Sequence, residues 1–303
     1  MRVGFVGLGN MGGPMALNIL AAGHTLTVND IHPAVAAEHL ERGATWADVP
    51  RDVAKGSDVV FTSLPGPAEV EEVALGEDGL IEGLAAGAIY VDLSTGSPTA
   101  IRRIAERIEA AGAHLLDAPV SGGPMGAQSG TLAVMVGGDE AVFEHARPLL
   151  ETLGGDITYV GSVGAGTVAK LVHNAISMTT RIVIQEGMAM GVKAGVSPEK
   201  LLEVLQTASF GKQLVLNNHI PELVFNGDFD HPRFSLGLSH KDVSLALALA
   251  AEVEAPMPLA GEALAEIERG LDRGWAARDN LVTFLLAEER AGVEIRRGTG
   301  ETR

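Results

Sequence analysis

The 303-residue chain contains no cysteine. That excludes disulfides, thiolate nucleophiles and cysteine-ligated metals together, and it accords with an expected cytoplasmic location. No stretch of about 18 or more uncharged apolar residues occurs, so no membrane span is expected. The first residues read as a strand of the fold rather than as a signal peptide. Basic residues are few: 22 Lys and Arg against 39 Asp and Glu give a formal charge of −17. With no basic cluster among them, a nucleic-acid partner is disfavoured. The nine histidines show no H-E-x-x-H or other metal-ligand spacing, so no metal is expected. Internal repeats and low-complexity segments are missing too. At this length two domains are the natural expectation.

What is present begins at once. Arg2-Val3-Gly4-Phe5-Val6-Gly7-Leu8-Gly9-Asn10-Met11-Gly12 is an apolar strand running into G-x-G-x-x-G, with a helical run after it. Gly7 permits a tight turn, Gly9 lets backbone approach a pyrophosphate, and Gly12 allows close strand–helix packing. The phosphates would sit on unpaired N–H groups at the start of that helix, beside Asn10 and Met11. A second strand leads into Asp30, 18 residues past Gly12, where an acid accepts hydrogen bonds from the adenosine ribose hydroxyls. The plain alternative is a ligand-free turn in which Asp30 caps His32-Pro33. Placement between two strands favours the dinucleotide. No Arg or Lys occurs between Asn29 and His39, and a carboxylate repels a 2′-phosphate, so the expected cofactor is NAD rather than NADP.

Short β-branched strand candidates at 3–6, 26–29, 59–63, 89–92, 114–118, 133–136 and 157–160 alternate with helical runs at 34–42, 69–74, 99–111 and 141–153. Such alternation implies a largely parallel sheet covered on both faces. Residues 167–194 then form one apolar run without proline, far too long for a strand, and everything after it reads helical (198–208, 213–224, 236–253, 259–273, 280–291). The expected architecture is an α/β Rossmann dinucleotide-binding domain over residues 1–162, followed by an all-α domain over 163–303 that a long interdomain helix begins. The polar tail from Arg296 onward is expected to fray.

Two further segments carry chemistry. Residues 117–132, Asp-Ala-Pro-Val-Ser-Gly-Gly-Pro-Met-Gly-Ala-Gln-Ser-Gly-Thr-Leu, lie at the carboxyl end of a strand, the edge where open α/β sheets bind ligands. Ser121 offers a hydroxyl, and Gly122 and Gly123 offer unhindered N–H groups able to converge on a carboxylate. A surface loop merely shaped by its glycines is the alternative. Lys170 and Asn174 stand at i and i+4 on the long helix and share one face. Set among Val168, Ala169, Leu171 and Val172, Lys170 is either snorkelling to solvent or desolvated for proton transfer. In His240-Lys241-Asp242, Lys241 either belongs to a charged first turn or reaches the cofactor across an interdomain cleft. A hydrolase set of Ser121, His173 and Asp117 lacks the G-x-S-x-G setting.

In this order the segments resemble the β-hydroxyacid dehydrogenase family, which includes 3-hydroxyisobutyrate dehydrogenase and tartronate semialdehyde reductase. The resemblance runs to about Val293. Residues 7–15 are similar to the family's cofactor loop, 117–132 to its D-x-P-V-S-G-G-x-x-G-A-x-x-G-T-L motif, and 161–174 to G-x-x-G-x-G-x-x-x-K-x-x-x-N. Lys241-Asp242 matches a K-D pair that closes over the cofactor, and Leu64-Pro65 and Asp92-Leu93-Ser94-Thr95 look like further nucleotide-side segments.

The resemblance implies a Rossmann domain plus a helical domain, assembled as a homodimer or homotetramer through the helical parts. It also implies NAD(P)-dependent interconversion of a 3-hydroxy acid, a small carboxylate substrate, with its semialdehyde. It places Lys170 at the catalytic position, Asn174 as its substrate-orienting partner, and Ser121, Gly122 and Gly123 at the carboxylate. Leu64, Pro65, Thr95 and Lys241 fall on the cofactor side. The wall facing the substrate's C2 substituent is expected from scattered residues of the helical domain, with Phe210, Lys212, Phe234 and Leu238 as candidates.

Two positions depart from the pattern. Glu69 replaces a polar amide found in some members. Arg181, where a small or apolar residue is usual, is expected to form an interface or interdomain ion pair. Imine reduction and non-catalytic cofactor binding use related scaffolds, but both go with loss of the lysine, which is present here.

Overall fold

Apolar residues at every second position of the central strands bury both faces of one sheet, as the period of two requires. In the strand Val59–Thr62, Val59 and Phe61 join one core with Phe5, Val28, Met15 and Phe143. Val60 points to the other core, with Tyr90, Ile104 and Ile108. The computed structural model describes residues 1–296. Residues 297–303, the rest of the tail expected to fray, lie outside the described residues. Two compact units divide the chain, Met1–Ile176 and Ser177 onward.

The first unit holds strands β1 (Arg2–Val6), β2 (Thr25–Asn29), β3 (Thr45–Trp46), β4 (Val59–Thr62), β5 (Ile89–Asp92), β6 (His114–Asp117), β7 (Val120–Ser121), β8 (Leu132–Gly137) and β9 (Gly154–Gly161). Their order is β3-β2-β1-β4-β5-β6-β8-β7, with β9 paired to β8. The run from β3 to β6 is parallel, β6 and β7 meet β8 antiparallel, and β8–β9 is parallel again. This is the doubly wound order with its switch point between β1 and β4, where such sheets bind ligands beyond their carboxyl ends.

Helices α1 (Gly12–Ala21), α2 (Ala37–Glu41), α3 (Pro50–Ala54), α4 (Pro67–Leu75), α5 (Pro98–Ala110), α6 (Gly123–Ser129) and α7 (Glu140–Leu150) accompany the sheet. In α5 the buried Ile101, Ile104, Ala105 and Ile108 make the helical i, i+3, i+4, i+7 stripe, and Ser97 caps its start, its hydroxyl accepting the Ala100 N–H. Helix α8 (Ala165–Lys193, 29 residues) begins in the first unit and runs into the second.

The second unit adds α9 (Pro198–Thr207), α10 (Leu236–Glu252), α11 (Pro258–Asp272) and α12 (Phe284–Ala291). Its core gathers Val224, Phe229, Leu236 and Val282, with Trp275 and Phe284 packed on them.

Several expectations need correcting. Residues 117–132, for which a glycine-shaped surface loop is the alternative reading, hold regular structure: Ser121 ends β7, Gly123 opens α6, and Leu132 starts β8. The two-residue strands β3 and β7 and the five-residue helix α3 are too short to show a period. The run at 34–42 divides into a 3₁₀ turn at Pro33–Ala36 and then α2. Residues Val215–Val224 wind as a π-helix around Pro221, which has no N–H to give an α-helical ladder.

A buried polar network joins the ends of β4 and β5. Thr62 Oγ1 donates to Asp92 Oδ1 at 2.7 Å, the Ser94 N–H donates to the same oxygen at 3.2 Å, and the Leu64 N–H donates to Ser94 Oγ at 2.9 Å. Burial raises the Asp92 carboxyl from its ordinary 3.8 to about 6, against the pull of those hydrogen bonds and with a small push from Asp117. A carboxyl raised on folding stabilises the protonated protein. Its contribution is complete below about pH 4 and lost as pH climbs through 6, which leaves a cost of about 3 kcal/mol at neutral pH. Asp92→Asn keeps one acceptor oxygen and removes the charge. It should raise Tm by several degrees at about pH 8, with the gain shrinking toward pH 4. Calorimetry across that range checks it, and an unchanged or lower Tm at pH 8 contradicts the account.

Candidate active site

The first turn of α1 is prepared for an anion. No side chain caps it and no acidic residue stands in it. Gly7 has φ +94°, and a Cβ there would lie 2.4 Å from the Ser63 carbonyl oxygen; a Cβ on Gly12 would lie 1.9 Å from that of Gly7. Both glycines are demanded by the chain itself. Gly9 differs, since a Cβ on it would meet nothing within 4 Å. The space above it is open, as a backbone approached by a pyrophosphate requires, so the residues present fit a dinucleotide. Asn10 is exposed and Met11 half-buried beside it.

Asp30 does two jobs. Its Oδ2 accepts the Leu8 N–H at 2.7 Å, and its Oδ1 accepts the His32 N–H at 2.8 Å. The turn-capping role is therefore real, and a second bond ties the carboxylate to the glycine loop. Each oxygen keeps a further lone pair for a hydroxyl donor. Leu64 and Thr95 stand beside the Asp92 network, Leu64 held through its own N–H, with Pro65 and Thr95 exposed.

Further along the same carboxyl edge, Ser121 is half-buried and paired in register with Ala133 of β8. Gly122 (φ +139°) and Gly123 (φ +65°) follow, both exposed, in backbone conformations that side chains resist.

Asp117, 1% exposed, closes β6. It accepts the Gly164 N–H on Oδ1 at 2.7 Å, and the Thr167 N–H and hydroxyl on Oδ2 at 2.7 and 2.8 Å. Burial raises its pKa while these three bonds oppose the rise. Asp117 and Asp92 are register partners on β6 and β5. Lys170 stands three residues past Thr167 and is 7% exposed. Among the described residues its ammonium has no carboxylate or hydrogen-bond partner, and burial lowers its pKa below the ordinary 10.5. Asn174 is half-buried, with His173 Nδ1 3.1 Å from its Oδ1, which leaves Nδ2 available as a donor.

The remaining candidates belong to other surroundings. Glu69 is exposed in the first turn of α4, where an acid suits the helix dipole. Phe234 lies in the second unit, just before α10, on a segment that the buried Asp279 holds by accepting the Arg233 N–H at 2.9 Å and the Phe234 N–H at 3.4 Å. Lys241, also in the second unit, pairs with Asp242 at 3.0 Å. Arg181 contacts Met178 Sδ one turn back at 3.7 Å and forms no ion pair among the described residues. Sequence reasoning gave Thr62 and Thr167 no role and Ser94 only a place in a nucleotide-side segment; their hydroxyls act on partners far along the chain and leave no local signal.

Residues 2–161 match the family model described as the NAD binding domain of 6-phosphogluconate dehydrogenase. Residues 164–284 match that described as NAD-binding of NADP-dependent 3-hydroxyisobutyrate dehydrogenase. The chain is 36% identical over 298 residues to 2-(hydroxymethyl)glutarate dehydrogenase of Eubacterium barkeri, covering 98% of both chains. It is 41% identical over 261 residues to 3-hydroxyisobutyrate dehydrogenase of Pseudomonas aeruginosa, covering 85% of this chain and 88% of that one. The solved structure of Mycobacterium tuberculosis 3-hydroxyisobutyrate dehydrogenase with L-serine matches at TM-score 0.66 and 33% identity, over 94% of this chain and 99% of that one. An imine reductase from Myxococcus stipitatus, at TM-score 0.83 and 23% identity over 94% of this chain and 100% of that one, shares the fold. The chain belongs to the β-hydroxyacid dehydrogenase family of oxidoreductases, with a Rossmann NAD-binding domain followed by a helical one.

Proposed function

We propose that this chain is an NAD-dependent dehydrogenase interconverting a small 3-hydroxy acid and its semialdehyde, with Lys170 as the general acid–base. The observation that carries the reading is the Lys170 side chain, 7% exposed and without a carboxylate or hydrogen-bond partner among the described residues, on a helix start held to the carboxyl edge of the sheet. A lysine whose pKa is lowered by burial exchanges its proton closer to neutrality than a surface lysine does. Bound NAD supplies the hydride acceptor. In oxidation, neutral Lys170 Nζ takes the substrate's hydroxyl proton; in reduction, its ammonium polarises the aldehyde oxygen and gives the proton back. Ser121 Oγ and the N–H groups of Gly122 and Gly123 hold the carboxylate, and Asn174 Nδ2 orients the hydroxyl. Phe234 contributes to the substrate wall and Lys241 to cofactor closure. The compounds named with the relatives, 3-hydroxyisobutyrate, 2-(hydroxymethyl)glutarate and L-serine, support the substrate class, since each carries a hydroxyl on the carbon β to a carboxylate.

NAD rather than NADP is the proposed cofactor. Asp30 is fixed at the end of β2 by two backbone bonds, so a 2′-phosphate would meet a carboxylate that cannot swing away. Association of copies through the helical part is supported by exposed apolar side chains on α8 and α9, among them Met178, Ile182, Leu202 and Val204.

Lys170→Ala should lower kcat by about 10²–10⁴-fold while leaving the Kd for NAD close to unchanged. Wild-type oxidation should rise with pH to an inflection below 10.5. Steady-state kinetics beside a binding titration reads both, and an alanine variant that keeps most of kcat contradicts the assignment. For the cofactor, kcat/KM should favour NAD in the wild type and Asp30→Ala should narrow the preference. A wild-type preference for NADP would remove Asp30 from the ribose site.

A further inference from the structure

The proposed acid–base sits on a helix whose first turn is held by one carboxylate, and that carboxylate has no other occupation. All three hydrogen bonds of Asp117 go to Gly164 and Thr167, 47 to 50 residues later in the chain. Among the described residues no cation balances it, so the donors at the start of α8 are what it answers, and an anion at a helix N-terminus is favoured. The seat beneath is backbone on backbone. A Cβ on Gly166 would lie 2.3 Å from the Met135 carbonyl oxygen and 2.5 Å from that of Asp117; a Cβ on Gly137 would lie 2.5 Å from Asp117 Oδ1 and 2.8 Å from the Gly166 nitrogen. No side chain fits between the helix start and strands β6 and β8, so their spacing has no slack. Thr167 and Lys170 stand at i and i+3, on one face, about 4.5 Å apart along the axis. Both are buried, at 3% and 7% exposed.

We infer that Asp117 is a positioning residue: by gripping Gly164 and Thr167 it sets the height and rotation at which the Lys170 ammonium meets the substrate oxygen. This rests on the reading of Lys170 as the acid–base. A helix is stiff over one turn, so displacement at Thr167 is carried to Lys170, and an error of about 1 Å in a reacting group can cost about 10²-fold in rate. Asparagine cannot replace the carboxylate. It brings one acceptor oxygen and one NH₂ donor to a place where the backbone N–H groups of Gly164 and Thr167 each need an acceptor on a different oxygen, so one of them loses its partner.

The test is a set of variants read by kcat, by KM for the hydroxy acid and by NAD binding. Asp117→Asn should lower kcat by about 10–100-fold, with the Kd for NAD within about twofold of wild type. Thr167→Val, which removes one of the three bonds and keeps the volume, should lose less, and Thr167→Ser should restore it. A structural role alone would not produce the decisive result. Combined with Lys170→Ala, neither Asp117→Asn nor Thr167→Val should slow the enzyme further, because the group being positioned is gone. Losses that multiply in the double variants overturn the inference while leaving Lys170 in its role. A wild-type rate for both Asp117→Asn and Thr167→Val overturns it as well. A fast Lys170→Ala variant overturns the acid–base reading, and the inference falls with it. Should Asp117→Asn fail to fold, the Thr167 pair in both backgrounds decides alone.

Discussion

One buried carboxylate joins the sheet of the first unit to the long helix. Asp117 ends β6, lies almost wholly out of solvent, and answers three donors at the start of α8. Removing a carboxylate from water costs several kcal/mol unless hydrogen bonds replace its hydration, and here backbone and hydroxyl donors do so. The same bonds satisfy donors that the opening of any helix leaves without partners. A cost of burial and a deficit of helix geometry thus offset each other.

The rest of the carboxyl edge repeats the device. Asp30 holds the Leu8 N–H of the glycine loop, Asp92 holds Thr62 and the Ser94 N–H, and Ser94 holds the Leu64 N–H. At each strand end a polar side chain grips the backbone of the neighbouring loop. The loops are thereby fixed without drawing on the uncapped first turn of α1, the exposed Gly122–Gly123 backbone or the Lys170 ammonium, the groups proposed above to meet ligands. Asp92 shows what this costs, since its carboxyl is held near 6 by burial. A rigid edge with free donors is the preorganised state that binding and proton transfer favour.

Much of this was legible in the residues. The glycine loop announces itself because Gly7 and Gly12 are sterically compelled and Gly9 is not, a distinction that spacing alone implies. Strand–helix alternation gave the doubly wound sheet, and the long unbroken apolar run gave α8. Other features depend on contacts distant in sequence. The burial of the Lys170 side chain, three residues past the Thr167–Asp117 bonds, leaves no trace in Val168–Ala169–Lys170 itself. Helix α6 hides in a glycine- and proline-rich stretch because seven residues make barely two turns. Asp30 looked like either a cap or a ribose ligand, and its two oxygens allow it to be the first without forfeiting the second.

The account stands or falls most directly on one assay, NADH formation by the wild-type enzyme with a panel of small hydroxy acids and their methyl esters. It predicts turnover with one or more 3-hydroxy acids such as 3-hydroxyisobutyrate, L-serine, glycerate or 3-hydroxypropionate, and a steep loss for the ester, because Ser121, Gly122 and Gly123 have then lost their anion. No turnover on any member of the panel, or equal turnover on acid and ester, would contradict it.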